Sequence, residues 1–250
     1  MSEVSIESAD SQVYLVGLHR PPNNFFDTAL LGALADAYEQ LASDTPCRAI
    51  VLHSEGRHFC AGLDFAQNKD QDIAALYHHA LRLFAAPLPV VAAVQGGAIG
   101  GGLGLALSAD FRVATPASRF SANFSRLGFH HGFALTVTLP RLVGEQRAAD
   151  LLYTGRRVDG AEAHALGLCD QLVDPTELLP AATAYASVLA SSGPLAIRSI
   201  RATLRRGLVD RLRLAMEHEC AEQERLRGSS DFAEGIAASA ARREPRFRGA

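Results

Sequence analysis

Gln95-Gly-Gly-Ala-Ile-Gly-Gly-Gly-Leu-Gly-Leu-Ala-Leu-Ser-Ala-Asp110 is the stretch on which the fold turns. Gly100 to Gly102 form an unbroken triplet, so a ligand can approach the main chain with no Cβ in the way. Leu103, Leu105, Ala106 and Leu107 are good helix formers, and a helix is expected to start at the glycines. The first N–H groups of that helix have no internal partner, and its dipole favours negative charge. Taken with His58-Phe-Cys-Ala-Gly-Leu-Asp64, the run suggests two backbone donors aimed at one oxygen, the outline of an oxyanion hole. Tight strand–helix packing with no site is the plainer alternative.

Leu83 to Ala109 carries no charged residue, which raises a membrane span. Pro87, Pro89, Gln95 and the glycines argue against one continuous helix there, so no span is expected. No G-x-G-x-x-G is present, and no Gly-Lys-Ser/Thr follows the glycines, so a nucleotide loop is not indicated. The chain has 250 residues, 48% hydrophobic, enough for one large α/β domain with a packed core. Net charge is −3 with no basic block before the C-terminal region, so nucleic acid is not an expected partner. Met1 to Asp10 has no apolar h-region, and a secretory signal is not expected. Cys47, Cys60, Cys169 and Cys220 form no C-x-x-C pair, which suits free thiols in a reducing cytoplasm. A lysine base or Schiff base would have to be Lys69, the one lysine in the chain, in a polar stretch that reads as solvated.

Strands are expected over Val13 to Leu18, Ala49 to His53, Val90 to Val94 and Phe111 to Ala114. Helices are expected over Thr28 to Ala42, capped by Asp27, and Asp72 to Phe84. This alternation points to βαβ units and a largely parallel sheet. From Glu145 onward the pattern is helical: Glu145 to Tyr153, Gly160 to Leu166, Leu178 to Ser191, Pro194 to Arg206, 210 to 227 and Asp231 to Arg242. The apolar stripes of this portion need partners, either a second subunit or a cleft to cover.

These residues resemble the crotonase (enoyl-CoA hydratase/isomerase) superfamily in five ordered blocks. The first is Arg20-Pro21-Pro22, the second Phe59-Cys-Ala-Gly-Leu-Asp64. The third is Pro89-Val-Val-Ala-Ala-Val-Gln-Gly96 running through Gly100 to Gly102 into Ser108-Ala-Asp110. The fourth joins Leu139-Pro-Arg-Leu-Val-Gly144, Tyr153-Thr-Gly-Arg156 and Ala161 to Leu168. Asp231-Phe-Ala-Glu-Gly235 with Arg243 to Phe247 closes the series. The resemblance implies an α/β, crotonase-type spiral of ββα units over residues 1–190. It implies a helical C-terminal region, 191–250, for trimerisation and active-site cover, in a homotrimer or dimer of trimers. It further implies an acyl-CoA substrate, with coenzyme A as part of that substrate and no permanently bound cofactor. The oxyanion donors would be the N–H groups of Leu63 and Gly101. Arg20, Pro22, Asn23, Ala61 and Asp64 match positions that hold CoA.

Two departures stand out. Hydratases of the superfamily use two glutamates, and Gly104 and Phe124 stand at those positions. No Asp or Glu occurs between Phe111 and Val143, so two-glutamate hydration is not expected. One of His130 and His131 is the expected acid/base group, directly or through a water, because imidazole suits proton transfer near neutral pH. The alternative is a pair of loop histidines with backbone contacts, since no orienting carboxylate is visible nearby. Tyr77 reads as core or pocket wall, and at most one of His78 and His79 can face a cleft. His58 with Cys60 lacks further metal ligands, and no G-x-S-x-G supports a serine hydrolase. Asp110 and Arg112 read as structural. Arg198, Arg201, Arg205 and Arg206 read as a solvated helix face, with a phosphate contact as the alternative. Phe65, Phe84, Phe124, Phe129 and Phe133 suggest an apolar or aromatic acyl pocket. Two other readings remain: a histidine-dependent β-diketone C–C hydrolase, and a catalytically silent CoA-ester binding protein.

Overall fold

A computed structural model describes residues 3–43, 45–65 and 71–250. Lys69 lies outside these residues. Six strands form the main sheet, in the order β1-β2-β3-β4-β6-β9. They are β1 (Val4–Ser8), β2 (Val13–Leu18), β3 (Ala49–Ser54), β4 (Val90–Val94), β6 (Phe111–Ala114) and β9 (Gln171–Leu172). Among the described residues, only the β1–β2 pair of this sheet is antiparallel. A smaller sheet holds β5 (Gly97–Ile99), β7 (Arg119–Ser121) and β8 (Val158–Asp159). Cys60 extends it by a parallel bridge to Ala98.

The two sheets are built by a repeated move. Each turn lays one strand in the large sheet, crosses to the small one, and returns through a helix. The turns are β3, Cys60 and α2 (Ile73–Ala85); β4, β5 and α3 (Gly101–Ser108); and β6, β7 and α4 (Leu135–Val143). This is the spiral of ββα units expected from the sequence. The charge-free run from Leu83 to Ala109 is thereby divided among the end of α2, β4, β5 and α3. Every residue of β4 is buried, as a central parallel strand requires. Among the described residues, no helix is long and apolar enough to cross a membrane.

Helices cover both faces of the main sheet. On one side lies α7 (Leu178–Ala190), whose Leu178, Ala182, Ala186 and Ala190 repeat every four residues. That small-residue ridge packs on Val51, Val91 and Val113. On the other side α1 (Thr28–Ser43), α2 and α3 share the larger core. Asp27 caps α1 by accepting the Leu30 N–H at 2.8 Å, and Asp72 caps α2 by accepting the Ala75 N–H at 3.0 Å. The chain continues through α5 (Glu145–Thr154), α6 (Gly160–Leu166), α8 (Pro194–Leu204), α9 (Leu208–Arg227) and α10 (Ser230–Ala240). No residue of α8 is buried, and Leu195, Ile200 and Leu204 are exposed on it.

Buried charges tie the outer layers to the sheet. Arg112 donates to the Leu168 and Ala109 carbonyls and to Asp170, at 2.8, 3.1 and 2.9 Å. Asp110 accepts the Val90 N–H at 3.0 Å. The arginine cluster corrects the sequence reading in part. Arg201 binds both Asp110 oxygens at 3.0 Å and the Ala86 carbonyl, while Arg205 sits 3.4 Å from Asp110. These two tether α8 to the core rather than lying on a solvated face; Arg198 and Arg206 are exposed.

Candidate active site

The Cys60–Asp64 segment and the start of α3 meet at the floor of a cleft of about 1420 Å³. Gly62 and Gly100 have φ of +84° and +57°, values that favour glycine. A Cβ at Gly62 would lie 2.8 Å from the Ile99 carbonyl oxygen and 3.2 Å from the Gly101 nitrogen. One at Gly102 would overlap the Cys60 carbonyl. The glycines thus let two backbone segments touch.

Peptide planarity then sets the donors. The Gly62 carbonyl accepts the Phe26 N–H at 2.9 Å. In a trans peptide the next N–H, that of Leu63, points the opposite way. The Gly100 carbonyl accepts the Leu103 N–H at 3.1 Å, so the Gly101 N–H points out of the N-terminus of α3. Among the described residues, neither the Leu63 nor the Gly101 N–H makes a backbone hydrogen bond, and both residues line the cleft.

The two positions that lack glutamates are filled by aromatic packing. A Cβ at Gly104 would meet the Phe133 Cβ at 2.5 Å and its ring at 2.7 Å. The Phe133 ring lies 5.5 Å from Phe26, 6.3 Å from Phe84 and 6.5 Å from Tyr77, centroid to centroid. Phe124 lines the same cleft with its edge toward Gly100. Phe65 packs edge-on against Phe129, with ring centroids 5.4 Å apart. Of the five phenylalanines expected to form the pocket, Phe65, Phe124 and Phe133 line it, whereas Phe84 and Phe129 lie behind it.

Phe133 is held there by its loop. Phe133 and Ala134 both adopt left-handed backbone, φ +61° and +60°. Two such non-glycine residues cost about 1–3 kcal/mol each. Burying the Phe133 ring returns about 2–3 kcal/mol. The remainder comes from α9, which packs against α2 and α4. Glu219 accepts the Ala134 N–H at 2.8 Å, the Thr136 N–H at 3.0 Å and the Thr136 hydroxyl at 2.6 Å. Such hydrogen bonds contribute about 0.5–1.5 kcal/mol each while the carboxyl is protonated, and more when it is charged. Gln223, one turn on, donates to the His130 carbonyl at 3.0 Å and accepts the Tyr77 hydroxyl at 2.9 Å. Burial pushes the Glu219 carboxyl up to about 7, against the opposing pull of its Thr136 and Ala134 hydrogen bonds. Burial, then the Glu219 charge, raises Tyr77 well above its usual range and keeps it protonated.

Sequence reasoning missed Glu219 and Gln223. Their signal was present: Leu208, Leu212, Met216, Glu219 and Gln223 form one buried stripe, two members of which are polar. A carboxylate does therefore approach the histidine loop, from 85 residues downstream of Ala134. His131 Nε2 is 2.8 Å from the Thr136 hydroxyl and 3.9 Å from Glu219. Because that hydroxyl donates to Glu219, Nε2 carries the His131 proton. His130 Nδ1 faces the His131 carbonyl at 2.7 Å and must donate to it. Burial, then the charges of His130 and His218, lowers His131 to about 4. Neither histidine is among the residues lining the cleft, although Gly132 and Phe133 are.

Of the residues expected to hold CoA, Asn23, Ala61 and Asp64 line the cleft. Arg20 and Pro22 do not. The Arg20 guanidinium is spent on Glu3 and on Asp27, at 2.5 and 2.8 Å. Among the described residues, five exposed arginines line the cleft, Arg57, Arg119, Arg157, Arg242 and Arg243, the last of them paired with Glu234. His58 also lines it, with Nδ1 accepting the Gly97 N–H at 2.9 Å. Burial, then Arg57 and Arg157, lowers the His58 pKa. Ile236, Ala238 and Ser239 of α10 line the cleft as well.

Residues 8–250 match the family model described as enoyl-CoA hydratase/isomerase. The enoyl-CoA isomerase/hydratase of Zymoseptoria tritici is 35% identical, over 95% of this chain and 84% of its own. The 1,2-epoxyphenylacetyl-CoA isomerase of Escherichia coli K12 is 30% identical over the full length of both. The crystal structure of an enoyl-CoA hydratase/isomerase from Pseudoalteromonas atlantica superimposes with a TM-score of 0.90 at 28% identity, covering 99% of this chain and 100% of that one. The spiral, the paired backbone donors and these likenesses agree: the chain belongs to the enoyl-CoA hydratase/isomerase family, the crotonases.

Proposed function

We propose that this crotonase acts on an acyl-CoA thioester by stabilising an enolate-like oxyanion on the Leu63 and Gly101 N–H groups, without the two-glutamate mechanism. One observation carries the reading: two unspent backbone donors face a cleft whose glutamate positions are Gly104, closed off by Phe133, and Phe124. A thioester oxygen gains charge when an α-proton leaves, when a nucleophile adds, or when a carbon–carbon bond breaks. Preorganised donors stabilise each of these, at about 3–4 kcal/mol per donor. Isomerisation, decarboxylation, thioester hydrolysis or a glutamate-independent hydration all fit such a hole.

Asn23, Ala61 and Asp64 would track the pantetheine, and Arg57, Arg119 and Arg157 would face the phosphates. The aromatic walls favour an apolar or aromatic acyl group. A relative named for an epoxyphenylacetyl thioester agrees with that choice. No resident cofactor is required, since CoA arrives with the substrate. The bare apolar face of α8 suits a homotrimer or a dimer of trimers, working in the cytoplasm.

A panel of CoA thioesters, crotonyl-CoA included, followed by mass spectrometry tests the reading. A changed thioester supports it and names the reaction. No change with any thioester would shift weight to the β-diketone hydrolase or to a silent CoA-ester binder. Proton transfer by His130 or His131 is supported by the His131–Thr136–Glu219 chain and opposed by the position of both rings outside the cleft lining. Alanine at each position decides it. A sharp loss of turnover with binding intact favours the role, and unchanged turnover in both removes it.

A further inference from the structure

We infer that Glu219 and Gln223 are positioning residues that set acyl-group selectivity, by clamping the His130–Ala134 loop so that Phe133 closes the space beside Gly104. The inference rests on the acyl-CoA reading above. It begins from the contrast between α9 and the cleft. Much of α9 is exposed and charged, yet Glu219 and Gln223 are only 0% and 2% exposed. Every polar contact described for these two side chains goes to the loop, to Thr136 just beyond it, or to Tyr77.

The clamp has no slack. A Cβ at Gly132 would overlap the Tyr77 hydroxyl and lie 2.5 Å from Gln223 Nε2. The Tyr77 hydroxyl donates to Gln223 and the Phe133 ring packs edge-on against the Tyr77 ring, so loop, α2 and α9 meet at one side chain. Phe133 and Ala134 would leave the left-handed region if released, since neither is glycine. With Phe133 in place, no acyl substituent can enter beside Gly104. With the loop released, the ring withdraws and the space opens on the same side of the cleft as the oxyanion donors.

Binding of free CoA, acetyl-CoA, hexanoyl-CoA and benzoyl-CoA by titration calorimetry tests this on the full chain. Parent, Glu219→Gln, Gln223→Leu and Phe133→Ala are compared. Phe133→Ala leaves the clamp intact and removes only the plug, so it reports even if a clamp variant fails to fold. Free CoA should bind all folded variants equally. The ratio of benzoyl- to acetyl-CoA affinity should rise about tenfold in Phe133→Ala and move the same way in the clamp variants, the size expected for a few methylenes of pocket space. An unchanged ratio in Phe133→Ala overturns the plug, and an unchanged ratio in both folded clamp variants overturns the clamp. Failure of the parent to bind any CoA species overturns the acyl-CoA reading instead, and this inference with it.

Discussion

Replacing Gly102 by alanine should disable the proposed oxyanion hole while leaving every functional group in the protein intact. The added methyl would overlap the Cys60 carbonyl oxygen, with the carbonyl carbon at 2.7 Å and the Cys60 Cβ at 3.0 Å. Two of these three atoms are backbone in a strand bridge, because Cys60 pairs with Ala98 and its carbonyl accepts the Ile99 N–H at 3.0 Å. No rotamer change relieves the overlap. The start of α3 must move about an ångström from the Cys60–Leu63 segment, and a misplacement of that size costs on the order of 100-fold in rate. Overpacking adds a stability loss of about 2 kcal/mol, or roughly 4–8 °C in Tm for a chain of this length. The assay is kcat on whichever thioester the parent converts, with thermal unfolding beside it. Gly228→Ala is the control, since its methyl meets nothing within 4 Å and should change neither rate nor Tm. Full activity and an unchanged Tm in Gly102→Ala would refute the claim that these two segments jointly position the donors.

Further outcomes follow from the charges. Glu219, raised to about 7, keeps a proton in the folded state that it loses when unfolded, so its contribution falls as pH rises from its unfolded value through 7. His131, lowered to about 4, takes up a proton on unfolding, so its contribution rises with pH between 4 and 6.5. The two slopes oppose each other, and the parent should be nearly flat between pH 5 and 6.5. Glu219→Gln should gain up to ~1.4 kcal/mol of stability per pH unit there, and His131→Gln should lose a similar amount. Urea unfolding at three pH values checks this, and equal slopes in all three proteins would contradict it. Arg112→Met should destabilise by about 2–4 kcal/mol in thermal unfolding, because it leaves two buried carbonyls without their donor; a loss below 1 kcal/mol would mean that water replaces the guanidinium. Arg57→Ala with Arg157→Ala should weaken CoA binding and flatten its salt dependence, read by calorimetry at two ionic strengths. An unchanged salt slope would place the phosphates elsewhere.

Much of this was legible along the chain, for identifiable reasons. β2 and β4 begin and end where the apolar runs do, and Gly160–Leu166 and the Asp27 and Asp72 caps follow local rules. What was missed lacked a local signal. β1 is a half-exposed edge strand, while β8 and β9 are two residues each. α4 carries Pro140 and β-branched residues that obscure its helical pattern. The site divides in the same way. Its glycines announced the close approach of the two backbone segments, because crowding there selects for the missing Cβ. The partners of the histidine loop were hidden because Glu219 and Gln223 act across 83 to 146 residues of chain. The ion pairs of Arg20 were not legible either, because Glu3 and Asp27 are drawn to it only by the β1–β2 pairing and the start of α1.

The central claim is that one thioester oxygen sits between the Leu63 and Gly101 N–H groups. A crystal structure with a bound, slowly reacting thioester such as acetoacetyl-CoA tests it most directly. The account predicts that oxygen within about 2.7–3.2 Å of both nitrogens, with the acyl group against Phe133. A thioester carbonyl bound away from both donors would contradict it.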